Sequence, residues 1–383
     1  MRSKSDYGKR RSRVPFLRHR LLAMMALFLP LAVCLALPCG CGAGEPGPAV
    51  GPGPGTAGEM HFYFGNLHGH TEYSDGAGTP AEAYAWARDV VGFDFFAVTD
   101  HGERLSQAEW EETGVQADAF DSPGEFTALR GFEWSRPELG HVVVLGTEDF
   151  TGSQTEGDLP SLYAWIAARD ATAQFNHPGE PVGCFDAFAF HPEAEGCMCL
   201  LETGNKDEGN NDDVYYPYYH QALDRGWRVA PAANQDNHRL SANSHRTVIV
   251  APELTRGALL DALRARRAYA TDDPDMRVTF RLGEEWMGST VTVSSPAVSF
   301  LVEVEDDESI AYLELFTNGG RVVARLGPEA AGNGRVTWNP EVPVSGDCYF
   351  YLRVTERDED GDDDSGSGFQ VAVTAPIWLR LDD

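Results

Sequence analysis

Between residues 60 and 276 two kinds of apolar pattern alternate along the chain. Thr79-Pro80-Ala81-Glu82 has the form of a helix start, with Thr79 as N-cap, proline at the first position and Glu82 closing a capping box. Ala83, Trp86, Ala87, Val90 and Val91 then repeat at helical spacing, with Arg88 and Asp89 off the stripe. The apolar run from Phe93 to Val98 follows as a strand. The same reading predicts further helices over residues 159–169, 214–225 and 254–267. It predicts strands over 127–132, 141–145, 171–175, 198–202, 228–232 and 247–250. Alternation of this kind predicts a barrel of the β/α type.

Past Asp275 the pattern changes to short period-2 or apolar runs between turn residues, with Asn318-Gly319-Gly320 and Asn333-Gly334 as turn signals. Residues 277–383 therefore read as an all-β sandwich. They hold no histidine, which points to a packing or adhesion module. The acidic run Asp358 to Asp364 has the composition of a Ca²⁺ loop but lacks the downstream Glu of an EF-hand, and a solvated hairpin tip is the commoner meaning.

The N-terminus belongs to export rather than to the fold. Eight Lys and Arg between Arg2 and Arg20 precede an apolar stretch from Leu21 to Leu37. Gly40-Cys41 then offers a lipobox cysteine, better than Pro38-Cys39, so residues 1–41 read as a signal peptide, with lipidation at Cys41, plain secretion and an uncleaved anchor as alternatives in that order. Residues 42–59 form a Gly/Pro-rich tether. The expected location is the cell envelope by lipid anchor, otherwise the periplasm or medium.

Removing the basic leader changes the charge. The whole chain carries −29, but residues 1–40 hold eight of the 30 Lys and Arg and one of the 59 acids, leaving −36 for the remainder. Such a surface repels nucleic acid and anionic membrane, so an anionic substrate needs local attraction from metals. Past Lys9 the one lysine is Lys206, and no P-loop motif is present. Of the cysteines beyond the leader, Cys184, Cys197 and Cys199 lie close in sequence and suit one disulfide in an oxidising compartment.

The chemistry resides in histidines and carboxylates at strand ends. His68-Gly69-His70 follows the apolar run from His61, and i and i+2 side chains of an extended segment point the same way. Asp75, Thr99-Asp100-His101, Glu133, His141, His177 and the pair Asp236 and His238 complete the series. Imidazole with carboxylate and no thiolate suits Zn²⁺, Mn²⁺ or Fe²⁺. A carboxylate such as Glu133 can bridge two ions, and water between them ionises near neutral pH, which makes hydroxide available without a side-chain base. Asp100 reads as a group that orients a neighbour rather than a ligand. His191, His220, His245, Arg246 and the Tyr215–Tyr219 tyrosines fit rim or packing roles.

His68-x-His70-Thr-x-x-Ser-Asp75-Gly, Thr-Asp100-His101, Gly-x-Glu133, Gly-His141, Asn-His177-Pro and Asp236-x-His238 together resemble the PHP superfamily (polymerase and histidinol phosphatase). Gly65-Asn66-Leu67-His68, Asp75-Gly76 with Thr79-Pro80, and the closing Ala375-Pro376-Ile377-Trp378 resemble its CehA/McbA-like metallohydrolases. The resemblance implies a distorted (β/α)7 barrel carrying two or three metals. It implies that His68, His70, Glu133 and Asp236 hold one ion, and that Glu133, His141 and His177 hold a second. Asp75, His101 and His238 would hold a third, with Asp75 standing where some members have histidine.

Three functions are compatible with these features. The first is an exported phosphoesterase acting on a small ester. The second is a carboxyl or carbamate ester hydrolase with the same site. The third is a surface binding protein whose metals are structural. Glu133, Asp100 and Asp75 are the residues expected to serve catalysis beyond the imidazoles. The partner expected is a small-molecule ester, with no nucleic acid and with membrane only through Cys41.

Overall fold

The structure is a computed structural model that describes residues 59–179, 183–205, 211–327, 333–359, 361 and 367–382. The leader, Cys41 and the Gly/Pro-rich tether lie outside the described residues, as does most of the acidic run at 358–364.

Nine strands precede residue 277: β1 His61–Asn66, β2 Phe95–Val98, β3 Thr127–Arg136, β4 Gly140–Leu145, β5 Thr172–Asn176, β6 Met198–Asn205, β7 Ala230–Asn234, β8 Arg246–Ala251 and β9 Ala268–Thr271. β1, β2 and β3 run parallel. β4 is antiparallel to both β3 and β5. β5, β6 and β7 are again parallel. The run returns on itself just past β1 and β7 through the parallel bridge Gly69↔Asn237, where the His70 amide donates to Asn237 O at 2.8 Å. β8 and β9 continue outward from the other edge of β1.

The fold is thus mixed α/β with a large sheet, and beyond Arg277 the described residues form strands and one short 3₁₀ turn. These are β10 Arg277–Leu282, β11 Glu285–Trp286, β12 Thr290–Val293, β13 Ala297–Ser299, β14 Leu301–Thr317, β15 Arg321–Leu326, β16 Asn333–Trp338, β17 Glu341–Pro343, β18 Cys348–Arg357, β19 Phe369–Thr374 and β20 Ile377–Leu381. β19 pairs with β9. One apolar core runs from Val248, Ile249 and Tyr269 into Val278, Phe280, Val302 and Val354, so the two halves share buried surface.

Local chemistry explains the helices. Thr79 caps Pro80–Trp86 with the reciprocal Thr79–Glu82 box and proline in the first turn. The expected stripe then fails at Val90. Ala87–Val91 is a π-turn whose Gly92 amide reaches back to Ala87 O, and the extra residue per turn carries Val90 into solvent. Helix Gln107–Phe120 went unread in the sequence, because its buried side chains are few: Trp110, Thr113 and Ala117. Its start was legible, since Ser106 and Glu109 form a second capping box. The Trp110 indole holds it in place by donating to Glu148 O at 2.9 Å, with the Arg130 guanidinium over its ring.

The expected disulfide is absent: Cys184, Cys197, Cys199 and Cys348 are all free. Cys197 and Cys199 are alternate residues on and beside β6, and burial pushes both thiols up to about 11. The loop from Phe185 to Gly196 is thus not closed by a bridge from Cys184, which is half-buried while Cys197 and Cys199 are buried. Cys197 instead donates to Ala194 O.

Because the Ser106 hydroxyl satisfies an otherwise unpaired amide, Ser106→Ala should destabilise the protein by about 1 kcal/mol. Chemical denaturation checks this, and no change in midpoint would show that Trp110 packing alone fixes this helix.

Candidate metal centre

All the candidate residues emerge at one end of the strand ring. His68 and His70 follow β1, Asp100 and His101 follow β2, His177 follows β5, and Asp236 and His238 follow β7. Glu133 lies inside β3, which extends to Arg136. His141 is the second residue of β4, and because β4 is antiparallel its first residues lie at the same end as the last residues of its neighbours. β7 is shifted two residues from the sequence expectation, which places Asn234 on the strand and Asp236 just past it.

Glu133 is the hub. Its Oε1 lies 3.1 Å from His68 Nε2, 3.4 Å from His141 Nδ1 and 3.5 Å from His177 Nε2. Its Oε2 lies 3.0 Å from His101 Nδ1. Asp236 Oδ1 faces His70 Nε2 at 3.1 Å and His68 Nε2 at 3.3 Å, and the two Nε2 atoms are 3.2 Å apart. Asp75 meets His101 Nε2 at 3.4 Å and His238 Nε2 at 3.3 Å.

Three groups result, two of them sharing His70: His68, His70 and Asp236; Glu133, His141 and His177; and His70, Asp75, His101 and His238. All nine residues singled out as ligands fall in these groups. His70 is the departure from the expected partition, since its Nε2 faces Asp236 while its Nδ1 lies 3.9 Å from Asp75.

The donor set fits divalent ions. Ligand atoms about 2.1 Å from a tetrahedral ion are about 3.4 Å apart, and the separations above cluster around that value. The electrostatics agree. Burial pushes the Glu133 carboxyl up, but the imidazoles of His68, His101, His141 and His177 outweigh it and hold the group well below the usual carboxylate range. Asp236 behaves in the same way, burial being overcome by His68, His70 and His177. Burial lowers His68, yet Asp236, Glu133 and Glu202 raise it well above the ordinary imidazole value. His70, beside it, is lowered by burial. A field that draws a proton onto one of two adjacent buried imidazoles is a field that favours a cation.

A model of the family "Protein of unknown function (DUF3604)" matches residues 93–156. That segment holds Asp100, His101, Glu133 and His141. The chain is similar to an uncharacterized protein of Chlamydia pneumoniae, 22 % identical over 366 residues that cover 83 % of this chain and 57 % of that protein. It is similar to one of Chlamydia trachomatis at 22 % over 374 residues, covering 84 % and 58 %. The chain thus spans under two thirds of the length of these relatives. Among solved structures, a two-domain protein from Bacteroides vulgatus containing a predicted PHP-like metal-dependent phosphoesterase matches with a TM-score of 0.44 and 17 % identity, over 83 % of this chain and 96 % of that one. Endonuclease Q in complex with a 27-mer duplex bearing an abasic lesion matches with 0.36 and 12 %, over 53 % and 57 %.

A polar layer beneath the imidazoles was missed in the sequence. Glu202, fully buried within β6, accepts His68 Nδ1 at 2.9 Å, Gln174 Nε2 at 3.1 Å and Asn234 Nδ2 at 3.0 Å on one oxygen. Its other oxygen accepts the His177 amide at 2.8 Å and Asn205 Nδ2 at 2.7 Å. With Nδ1–H given to Glu202, the His68 ring is held so that Nε2 faces Glu133 and Asp236. Asn176 donates to Glu133 Oε1 at 2.7 Å. One signal was available: Met198 to Leu201 is an unbroken apolar strand, and a carboxylate ending it needs a reason.

Asp100 touches no imidazole directly. Its carboxylate accepts the Thr71 amide at 2.7 Å, the Thr71 hydroxyl at 2.6 Å and the Ser74 hydroxyl, and Ser74 Oγ lies 3.3 Å from His70 Nδ1. Any orienting effect on His70 passes through Ser74. Gly76 is required here, because a Cβ would stand 2.3 Å from His70 O. His177 and Asp236 both have positive φ, 26° and 45°, a strained backbone that the surrounding hydrogen bonds hold in place. The remaining histidines pack elsewhere: His191 on Glu193 and Tyr163, and His220 on Tyr351 at 2.7 Å. Tyr216 and Tyr219 are buried against the β strands, Tyr216 through the Tyr351 hydroxyl at 2.9 Å.

Exposure grades across the site. His68 and Glu133 are sealed, whereas the Asp75 and His238 side chains are each 32 % exposed. Arg104, unnoticed in the sequence, reaches Asp75 Oδ2 at 3.2 Å from this open side.

Glu202→Gln keeps the shape and most of the hydrogen bonds but removes the charge behind His68. Metal affinity should fall about 10–100-fold, read by titrating Zn²⁺ into chelator-treated protein. Unchanged affinity would show that Glu202 merely fills the core.

Proposed function

We propose that this chain is a metal-dependent ester hydrolase of the PHP type, and in the first place a phosphoesterase acting on a small substrate. The convergence of six imidazoles and three carboxylates, with Glu133 at the centre, carries the reading. His68, His70, Glu133 and Asp236 would hold one ion, Glu133, His141 and His177 a second, and Asp75, His101 and His238 a third, with Zn²⁺, Mn²⁺ or Fe²⁺ as candidates. Bound there, such ions supply Lewis acidity toward the ester oxygen and lower the pKa of water.

The chain's own residues divide the remaining work. Glu133 and Asp236 fix the relative positions of His68, His70 and His177 on the sealed side. Glu202, Gln174, Asn176 and Asn234 exclude water from beneath the imidazoles. Asp100 holds the Thr71–Ser74 loop and so the approach to Asp75. The half-exposed mouth at Asp75, His238 and Arg104 admits the substrate, and the Arg104 guanidinium is the group suited to a phosphoryl oxygen.

This reading takes the seven-strand run as a distorted (β/α)7 barrel over residues 60–276, with residues 277–383 as a β-sandwich accessory domain. It includes export through residues 1–41, with lipid attachment at Cys41 or release to the periplasm or medium. A second reading keeps the site and takes an uncharged carboxyl or carbamate ester. The −36 of the chain beyond its leader favours it, because the global field opposes an anion.

The purified chain should contain two or three divalent ions by elemental analysis, and chelation should abolish ester hydrolysis. His68→Ala and Glu133→Ala should each lower kcat/KM by about 10³-fold or more, a loss of about 4 kcal/mol in transition-state stabilisation. Persistent activity in both variants would overturn the site.

Arg104→Ala separates the two substrate classes. It should raise KM for an aryl phosphate about tenfold and leave an aryl carbamate unchanged. Equal effects on both, with the carbamate turned over faster, would favour the second reading.

A further inference from the structure

A second carboxylate cluster lies away from the histidine centre and shares no residue with it. Asp273, Asp306, Glu308 and Glu356 each place a carboxylate oxygen within 4.8 Å of the others. They come from three parts of the fold. Asp273 lies on the link between β9 and β10, Asp306 and Glu308 on β14, and Glu356 near the end of β18.

The backbone is shaped for this meeting. The β14–β16 register shifts between Glu305 and Ser309, so residues 306–308 bulge out of the ladder. Ile310, just past the bulge, pairs with Glu356 across to β18.

The decisive residue is Glu356. It is fully buried, and among the described residues neither Oε1 nor Oε2 has a hydrogen-bond partner. Asp306 Oδ2 is likewise buried and unpartnered, while Oδ1 accepts the Asp307 amide at 2.9 Å. Asp273 and Glu308 are buried too. They are oriented by backbone amides, Asp273 Oδ1 by those of Asp275 and Met276, and Glu308 Oε1 by that of Glu359 at 2.6 Å. Four carboxylates at such separation cannot all ionise without a counter-charge, and an unpartnered buried carboxylate is costly in either protonation state.

We propose that Asp273, Asp306, Glu308 and Glu356 form a calcium site that ties the link after β9 to β14 and β18. The donors are all oxygen, with no imidazole or thiolate, which selects a hard cation. Two oxygens that touch one ion at about 2.4 Å can be at most about 4.8 Å apart, the span seen here. Mg²⁺ needs shorter bonds and retains several waters, which a cluster with three buried members does not accommodate. In the absence of an ion, burial together with Asp273 and Asp275 pushes the Asp306 carboxyl up to about 8, the response of an acid forced among acids. The ion would join the metal-bearing half to the β strands, adding to the β9–β19 pairing.

The test uses the full chain with its histidine centre saturated with Zn²⁺, titrated with Ca²⁺ alone by equilibrium dialysis and followed by thermal unfolding. One Ca²⁺ should bind per chain and raise Tm by about 5 °C at saturation. Glu356→Gln should weaken binding at least tenfold and abolish the shift. Asp306→Asn, at the less buried bulge, should do the same and serves if Glu356→Gln does not fold. His68→Ala should retain the Ca²⁺ response. Absence of Ca²⁺ binding to the parent chain would overturn the proposal. So would undiminished binding in the carboxylate variants, loss of the response in His68→Ala, or an equal Tm shift with Mg²⁺ at the same concentration.

Discussion

Burial of the Glu133 carboxylate is the constraint around which the histidine-bearing end of the molecule is organised. A carboxylate at 1 % exposure cannot stay ionised without positive charge on several sides. Imidazoles from the ends of β1, β2 and β5 and a further one from the start of β4 supply the contacts. Holding them there requires a second set of buried polar groups, Gln174, Asn176, Glu202 and Asn234, none of which would be tolerated in an apolar interior without the full complement of partners seen here.

That requirement explains the strand arrangement. Parallel strands deliver side chains at their carboxyl ends, and the antiparallel β4 delivers His141 at its amino end to the same place. The bridge between Gly69 and Asn237 brings the β1 and β7 ends together, which is what places His68 and His70 against Asp236. The positive φ of His177 and Asp236 belongs to the same economy, since local strain persists only where surrounding contacts over-determine the backbone. The two candidate cation sites differ in kind: the one rich in imidazole opens to solvent through Asp75 and His238, and the other is carboxylate alone and internal.

The clustered histidines and carboxylates were legible because each stands at a break in an apolar run, where hydrophobicity offers no reason for a histidine or an acid. Glu202 stood at such a break too and was passed over, since it sits in no histidine-bearing motif. Helix Gln107–Phe120 was lost for the opposite reason: it buries one face through only three side chains, and the capping box at Ser106 was the stronger signal. Val90 fitted the helical stripe, but the π-turn at Ala87–Val91 turned it outward. Proximity in sequence suggested a cysteine bridge, but the cysteines are free in the fold.

Sequence alone singled out the histidines and carboxylates that cluster, the helix start at the Thr79 capping box, and the change from alternating α and β structure to strands after Asp275. These follow from local steric and hydrogen-bonding preferences and from polarity at a single position. Tertiary structure alone decided which atom of each histidine faces which carboxylate, that His70 stands between two groups, and that Arg104 reaches Asp75. It also decided that acids more than eighty residues apart, Asp273 and Glu356, meet in one buried cluster. Such relations depend on strand direction, register and bulges, which pairing across the sheet fixes and no local window of sequence contains.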